Sequence, residues 1–103
     1  MAWIILFIAG LFEIGWAVGL KFTEGFTRPI PTALTAISLV LSMGLLGWAV
    51  KTLPLGTAYA VWTGIGAAGT FVLGVVVFGD PTSLLRWFGL VLIVSGVACL
   101  KAA

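Results

Sequence analysis

Four long apolar segments, joined by short polar connections, occupy almost the whole chain. The hydrocarbon core of a bilayer is about 30 Å thick, and a helix needs around 20 apolar residues, within a range of about 17 to 25, to cross it. The segments that fall in this range are residues 2–20, 31–50, 58–78 and 84–100. The sequence therefore predicts a single domain of the all-α integral membrane class, with four transmembrane helices in each chain.

The composition excludes several classes of function. Charged residues make up 8% of the chain, against roughly 25% in an ordinary soluble domain. There is one cysteine and no histidine, so neither an intrachain disulfide nor a Cys/His metal site can form. The small net charge of +2 is dispersed and does not form a basic stripe for nucleic acid. We expect a membrane protein that is not an enzyme and uses no metal, no cofactor and no nucleic acid.

The connections predict the topology of the chain. Because they are short, consecutive helices are antiparallel, which predicts a compact four-helix bundle with both termini on one side. Lysine and arginine usually set the orientation of such a bundle. Here they are almost balanced between the two faces, with Lys51 and Lys101 on one and Lys21, Arg28 and Arg86 on the other. The balance is either accidental, or it indicates insertion in both orientations and an antiparallel homodimer.

Glu13 is the one charged residue well inside an apolar segment. A charge at the centre of a membrane helix costs roughly 2.5 to 3.5 kcal/mol, so such residues usually face a bundle interior or cavity and mark a functional path. The alternative is a neutral acid that only fixes packing. No basic residue lies deep in the spans, so Glu13 needs a proton, a bound cation or a second subunit. Competition between protons and an organic cation for this carboxylate would couple two flows as antiport.

Aromatic side chains supply candidate walls for a cation site. Trp16 lies one helical turn from Glu13 and offers a flat π face. On the third span, one face carries Tyr59, Trp62, Thr63, Gly66 and Thr70. Trp62 lies deeper than Tyr59 and is the better candidate. The alternative for these aromatic residues is a belt at the membrane interface, or simple packing.

Hydroxyl groups form a stripe on the second span, made of Thr35, Ser38 and Ser42. Ser42 lies nearest the middle of the span and is our candidate to hydrogen-bond the Glu13 carboxyl. The alternative is that these hydroxyls bond to backbone carbonyls or join helices, as serine and threonine in membranes commonly do.

Glycines mark close approaches rather than a nucleotide site. Gly64, Gly66 and Gly69 spell GxGxxG, but that fingerprint works only where a strand turns into an exposed helix N-terminus. Inside a membrane helix, these glycines allow close packing or a bend. Gly15 and Gly19 form a GxxxG pair, which we expect to seat another helix of the same chain.

The fourth span has no ionisable residue between Arg86 and Lys101 apart from Cys99. Gly89 and Gly96 stand two turns apart on one face of this span. Their spacing predicts a contact surface rather than a site.

Three stretches, "FEIGWAVGLKFTEGFTR", "LPLGTAYAVWTGIGAAG" and "GLVLIVSGVACLK", closely resemble the small multidrug resistance transporters. The stretches "WAVGLK", "GFTR" and "GTAYAVWTGIGA" resemble the guanidinium-exporter branch of that family. The resemblance covers the whole chain. It implies an antiparallel, dual-topology homodimer in the bacterial plasma membrane. Such a dimer exports guanidinium and small guanidinyl compounds in exchange for protons at a shared central site.

The resemblance also implies roles for single residues. Glu13 matches the essential acid of the family, and Gly10 borders it. The positions that match site-lining residues are Trp16, Ser42, Tyr59 and Trp62. Gly64 and Gly66 match the flexible point of the third helix, whereas Gly89 and Gly96 match the dimer motif of the fourth.

Two alternatives to guanidinium export stay open. The aromatic residues would also suit a polyspecific exporter of quaternary ammonium ions. A non-transporting assembly subunit or a channel-like pore, with Glu13 serving assembly, is the alternative from another class. Guanidinium fits the acid well because its parallel N–H groups can bond a carboxylate while its plane stacks on tryptophan, and a tetraalkylammonium has no such donors.

Overall fold

A computed structural model describes all 103 residues as four α-helices and their connections. The helices are α1 (Ala2–Phe22), α2 (Pro29–Ala49), α3 (Leu55–Phe78) and α4 (Leu84–Ala102). Each is long and apolar enough to cross a membrane, which confirms the predicted all-α membrane class. The helix ends lie within a few residues of the predicted spans. They differ because helical hydrogen bonding continues past the last strongly apolar residue.

Local signals in the sequence set the helix ends. Pro29 begins α2, where its missing N–H leaves no helical hydrogen bond unmade. Gly79 ends α3 in the left-handed conformation, with φ at 67°, which glycine adopts without strain. Ser83 caps α4, because its side-chain oxygen accepts a hydrogen bond from the Arg86 amide at 3.2 Å. These tight connections place each helix antiparallel to the one before it.

The four helices do not close into one compact bundle. α1 packs along both α2 and α3, whereas α4 packs along α3 and reaches α1 only through side chains such as Lys101. No residue of α4 is buried, and the chain measures 41 × 35 × 16 Å. This flat arrangement differs from the compact four-helix bundle predicted from the loop lengths. A short connection requires α4 to lie beside α3, but it does not require α4 to pack along α1 or α2 as well.

Small residues allow α1 and α2 to approach closely. A Cβ atom at Gly15 would lie 2.8 Å from Ser38 Oγ, and one at Gly19 would overlap Thr35 Oγ1. Ser38 Oγ also donates a hydrogen bond to the Phe12 carbonyl at 2.8 Å. The prediction that the GxxxG pair seats another helix of the same chain is confirmed.

The apolar core lies at the end of the molecule that holds the termini. Lys101 Nζ is 5.2 Å from the centroid of the Trp3 ring, so both chain ends are on one side, as predicted. The core comes from the start of α1, the end of α2 and the start of α3, and comprises Leu6, Ala9, Leu46, Ala49, Ala58, Val61 and Trp62. Packing at this end therefore joins α1, α2 and α3 into a three-helix group.

The α1–α2 contact yields a test of stability. Gly19→Ala should lower the free energy of unfolding by about 1 to 3 kcal/mol, because the new methyl group overpacks against Thr35. Thermal melting in detergent measures the effect. Gly44→Ala is the control, since no atom lies within 4 Å of that position. Thr35→Ala combined with Gly19→Ala should recover part of the loss, and no recovery in the double variant would contradict this packing.

Candidate functional site

The Glu13 carboxyl lies against the backbone of α3 at the middle of the membrane. Glu13 is half-buried and stands one residue past the midpoint of α1, and Gly66 stands at the midpoint of α3. A Cβ atom at Gly66 would lie 2.6 Å from Glu13 Oε2 and 2.7 Å from both Cδ and Cγ. Only glycine leaves room for the acid at this position. Gly66 was predicted as a bend; its contact with the acid was not predicted.

Two polar atoms on this face of α1 lack partners. Glu13 Oε2 and Trp16 Nε1 are buried and make no hydrogen bond within the chain. An unpaired buried polar group costs about 1 to 3 kcal/mol, and more when it is charged. The carboxyl at this position is therefore suited to hold a proton or a cation, and the adjacent indole ring is placed to form one wall of the site.

Ser42 joins three helices and does not bond Glu13. Its hydroxyl donates to the Ala9 carbonyl at 2.7 Å and accepts from Trp62 Nε1 at 2.8 Å. The expected hydrogen bond from Ser42 to the acid is therefore absent, and the alternative of a hydroxyl that joins helices is confirmed for this residue. The consequence for the site is that Ser42 fixes the orientation of the Trp62 ring.

Trp62 and Tyr59 form an aromatic pair on α3, one turn and two turns before Gly66 respectively. Their ring centroids are 5.5 Å apart at an interplanar angle of 50°. Trp62 is buried, whereas Tyr59 is 55% exposed. The structure thus brings Ser42, Trp62 and Tyr59 together, on the side of Gly66 that faces the apolar core.

The other predicted glycines serve helix packing. A Cβ atom at Gly10 would lie 2.7 Å from the Ile65 Cγ2 atom, so Gly10 seats α3. Gly64 instead faces α4, where Val97 and Ile93 approach it. The helix α3 is continuous through Gly64, and a bend at this point stays a prediction.

Gly89 and Gly96 have open space beside them within the chain. No atom lies within 4 Å of a Cβ atom built at either position. Both lie on the unburied helix α4. Their role in contacting a second subunit stays a prediction.

Comparison with known proteins agrees with this architecture. The sequence pattern described as "Small Multidrug Resistance protein" matches residues 1–93. The chain belongs to the small multidrug resistance family. Its four helices make it a multi-pass membrane protein, and its similar relatives are bacterial. The family consists of transporters, so the chain is a transporter rather than an enzyme.

Individual members of the family are similar over their full length. A protein of Proteus vulgaris named "Guanidinium exporter" is 55% identical over 103 residues, covering 100% of this chain and 99% of its own. The protein of the same name from Escherichia coli strain K12 is 54% identical over 101 residues, covering 98% and 96%. A further one, from Citrobacter freundii, is 52% identical over 101 residues, with the same coverage. The resemblance to the guanidinium-exporter branch is confirmed at this level.

The contact between the acid and Gly66 can be tested chemically. Gly66→Ala should displace the Glu13 carboxyl from α3 and raise its rate of modification by a membrane-permeant carbodiimide several-fold. Mass spectrometry of the labelled peptide measures the rate. Gly69→Ala is the matched control, because a methyl group there meets the apolar Ile14 side chain instead. Equal labelling rates in Gly66→Ala and wild type would contradict the contact.

Proposed function

We propose that this chain is a proton-coupled antiporter that exports guanidinium and small guanidinyl compounds. The observation that carries the proposal is the Glu13 carboxyl at mid-membrane, whose Oε2 is buried without a partner beside Trp16. The names of the similar proteins from Proteus vulgaris and Escherichia coli support guanidinium as the cargo. No other acid lies within a span, so this carboxyl is the shared binding group.

The chemistry of guanidinium suits this site. It is a planar cation whose parallel N–H groups can donate together to one carboxylate. Its faces can stack on indole rings, and Trp16 lies one turn from the acid while Trp62 lies one turn from Gly66. The Trp62 Nε1–H donates a hydrogen bond to Ser42 Oγ at 2.8 Å, and this bond fixes the orientation of the ring as one wall of the site.

Coupling follows from exclusive occupancy. Glu13 holds either a proton or a guanidinium ion, because both neutralise the same charge. An empty, ionised carboxylate is costly in the hydrocarbon region, so the change of access occurs with the site occupied. Inward movement of protons is therefore exchanged for outward movement of the cation. The free energy comes from the proton gradient, and no nucleotide is needed.

A second copy completes the transporter. In the flat chain, which is 16 Å thick, α4 has no buried residue, and space is open beside Gly89 and Gly96. The nearly balanced lysine and arginine content supports insertion in both orientations. We propose an antiparallel homodimer that brings two Glu13 side chains to one central site. Its inverted symmetry provides alternating access, with α3 bending at Gly64 and Gly66.

Export of quaternary ammonium ions is the second candidate. The exposed Tyr59 ring packs on Trp62 with centroids 5.5 Å apart, and such a pair can hold a cation that has no N–H groups. Measuring both substrate classes on the same preparation separates the two activities.

The role of the acid is tested with purified protein in liposomes. Under an imposed guanidinium gradient, wild type should move protons in the opposite direction to guanidinium, as followed by a pH-sensitive dye in the lumen. Glu13→Gln should abolish this exchange, because a neutral amide cannot alternate between proton and cation. Glu24→Gln, a change at an exposed acid of the first loop, is the control. Normal exchange by Glu13→Gln would overturn the mechanism.

Competition predicts the pH dependence. The KM for guanidinium should rise as the pH on the binding side falls, because protons displace the cation from the same carboxylate. The rate at saturating guanidinium should change less than KM. Initial rates at several fixed pH values measure both parameters. A KM that is independent of pH while the maximal rate alone changes would contradict competition at one site.

A further inference from the structure

Thr70 is a residue of α3 whose hydroxyl has no hydrogen-bond partner, although its Oγ1 is buried. Serine and threonine in membrane helices usually bond a nearby carbonyl. Thr23, Ser38 and Ser42 follow that rule, with bonds of 2.7 to 2.8 Å to backbone carbonyls. Thr32 Oγ1 is also unpaired, but it lies in the first turn of α2 beside the loop. Among hydroxyl oxygens that are themselves buried, Thr70 Oγ1 is therefore the one without a partner in the interior of a span.

The helix register places Thr70 at the level of Trp16. The helices α1 and α3 run parallel, with Glu13 on Gly66 at the middle and the Phe22 and Phe78 rings 5.4 Å apart at the far ends. Trp16 lies about 4.5 Å further along its helix than Glu13, and Thr70 about 6 Å further than Gly66.

The helix faces place both residues on one side of the contact between Glu13 and Gly66. Ile14 packs against Gly69 on the opposite side of the contact between Glu13 and Gly66. At about 100° per residue, Trp16 and Thr70 are turned by roughly 60° and 40° toward the side opposite Ile14 and Gly69. That side faces α2, because Gly15 and Gly19 seat α2 on the same flank of α1 as Trp16.

Three buried atoms without partners thus line the same part of the site: Glu13 Oε2, Trp16 Nε1 and Thr70 Oγ1. A guanidinium ion bound by the carboxylate has further N–H groups that need acceptors. The indole N–H is a donor only, and the Ser42 hydroxyl is already bonded to Ala9 and Trp62. A threonine oxygen can accept two hydrogen bonds, which leaves Thr70 suited to the task.

We infer that Thr70 contacts the substrate, its Oγ1 accepting an N–H of the guanidinium ion that Glu13 binds. This inference rests on the proposed function and adds a binding residue to the same site. The hydroxyl completes the hydrogen bonding of a planar cation on the side of Gly66 away from the apolar core. Its loss weakens guanidinium binding without removing the group that exchanges the proton.

The test compares Thr70→Val with wild type in guanidinium-driven proton exchange in liposomes. Valine keeps the shape of threonine but lacks the acceptor. A hydrogen bond to a charged group contributes about 1.5 to 3 kcal/mol, so the KM for guanidinium should rise roughly tenfold or more. The rate at saturating guanidinium should stay near that of wild type. Thr82→Val, which changes an exposed threonine of the connection between α3 and α4, is the matched control.

Two further variants separate binding from packing. Thr70→Ser keeps the hydroxyl and should retain a KM close to that of wild type, whereas Thr70→Ala removes the hydroxyl with less bulk and should raise the KM as valine does. An unchanged KM in Thr70→Val, or an equal rise in Thr70→Ser, overturns the inference while wild-type exchange upholds the proposed function. Absence of guanidinium exchange by wild type overturns the proposed function and this inference with it.

Discussion

The contact between the Glu13 carboxyl and the backbone at Gly66 determines what the candidate site can do. It holds an acid at the centre of the membrane, where an unneutralised charge costs several kcal/mol. The acid is tolerated because α3 offers a position without a side chain, and it is useful because Oε2 finds no partner within the chain. Binding of a proton or a cation therefore stabilises the Glu13 carboxyl in this position.

The remaining interactions hold one end of the molecule together and leave polar atoms unpaired beyond it. Apolar residues such as Leu6, Ala49 and Val61 close the end of the three-helix group that carries the termini. Ser42 adds a hydrogen-bonded link from α2 to both α1 and α3, which fixes Trp62 beside the core. Further along α1 and α3, away from this end, lie the buried atoms without hydrogen-bond partners, Glu13 Oε2, Trp16 Nε1 and Thr70 Oγ1. The α4 helix has no buried residue and touches the core only at its edge, through Val97, so most of its apolar surface is available to lipid or to a second chain.

Part of this arrangement could be predicted from the sequence because it depends on segment length and spacing alone. Hydropathy identified the four helices, and the spacing of Gly15 and Gly19 predicted a close helix contact. The hydrogen bonds of Ser42 could not be predicted, because they depend on how each helix is rotated about its axis. The pairing of Glu13 with Gly66 could not be predicted either. It follows from matching the midpoints of α1 and α3, which requires knowing that these helices are parallel and adjacent. The isolated position of α4 likewise depends on tertiary packing.

In the proposed mechanism, the Glu13 carboxyl holds a proton or a guanidinium ion, but never both. The most direct measurement follows proton release when guanidinium is added to purified, detergent-solubilised protein in a weakly buffered solution with a pH indicator. Wild type should release protons in proportion to bound guanidinium at pH values where the carboxyl is protonated, and Glu13→Gln should release none. Saturable guanidinium binding by wild type without proton release, at every pH across the titration of the protein, would contradict this mechanism.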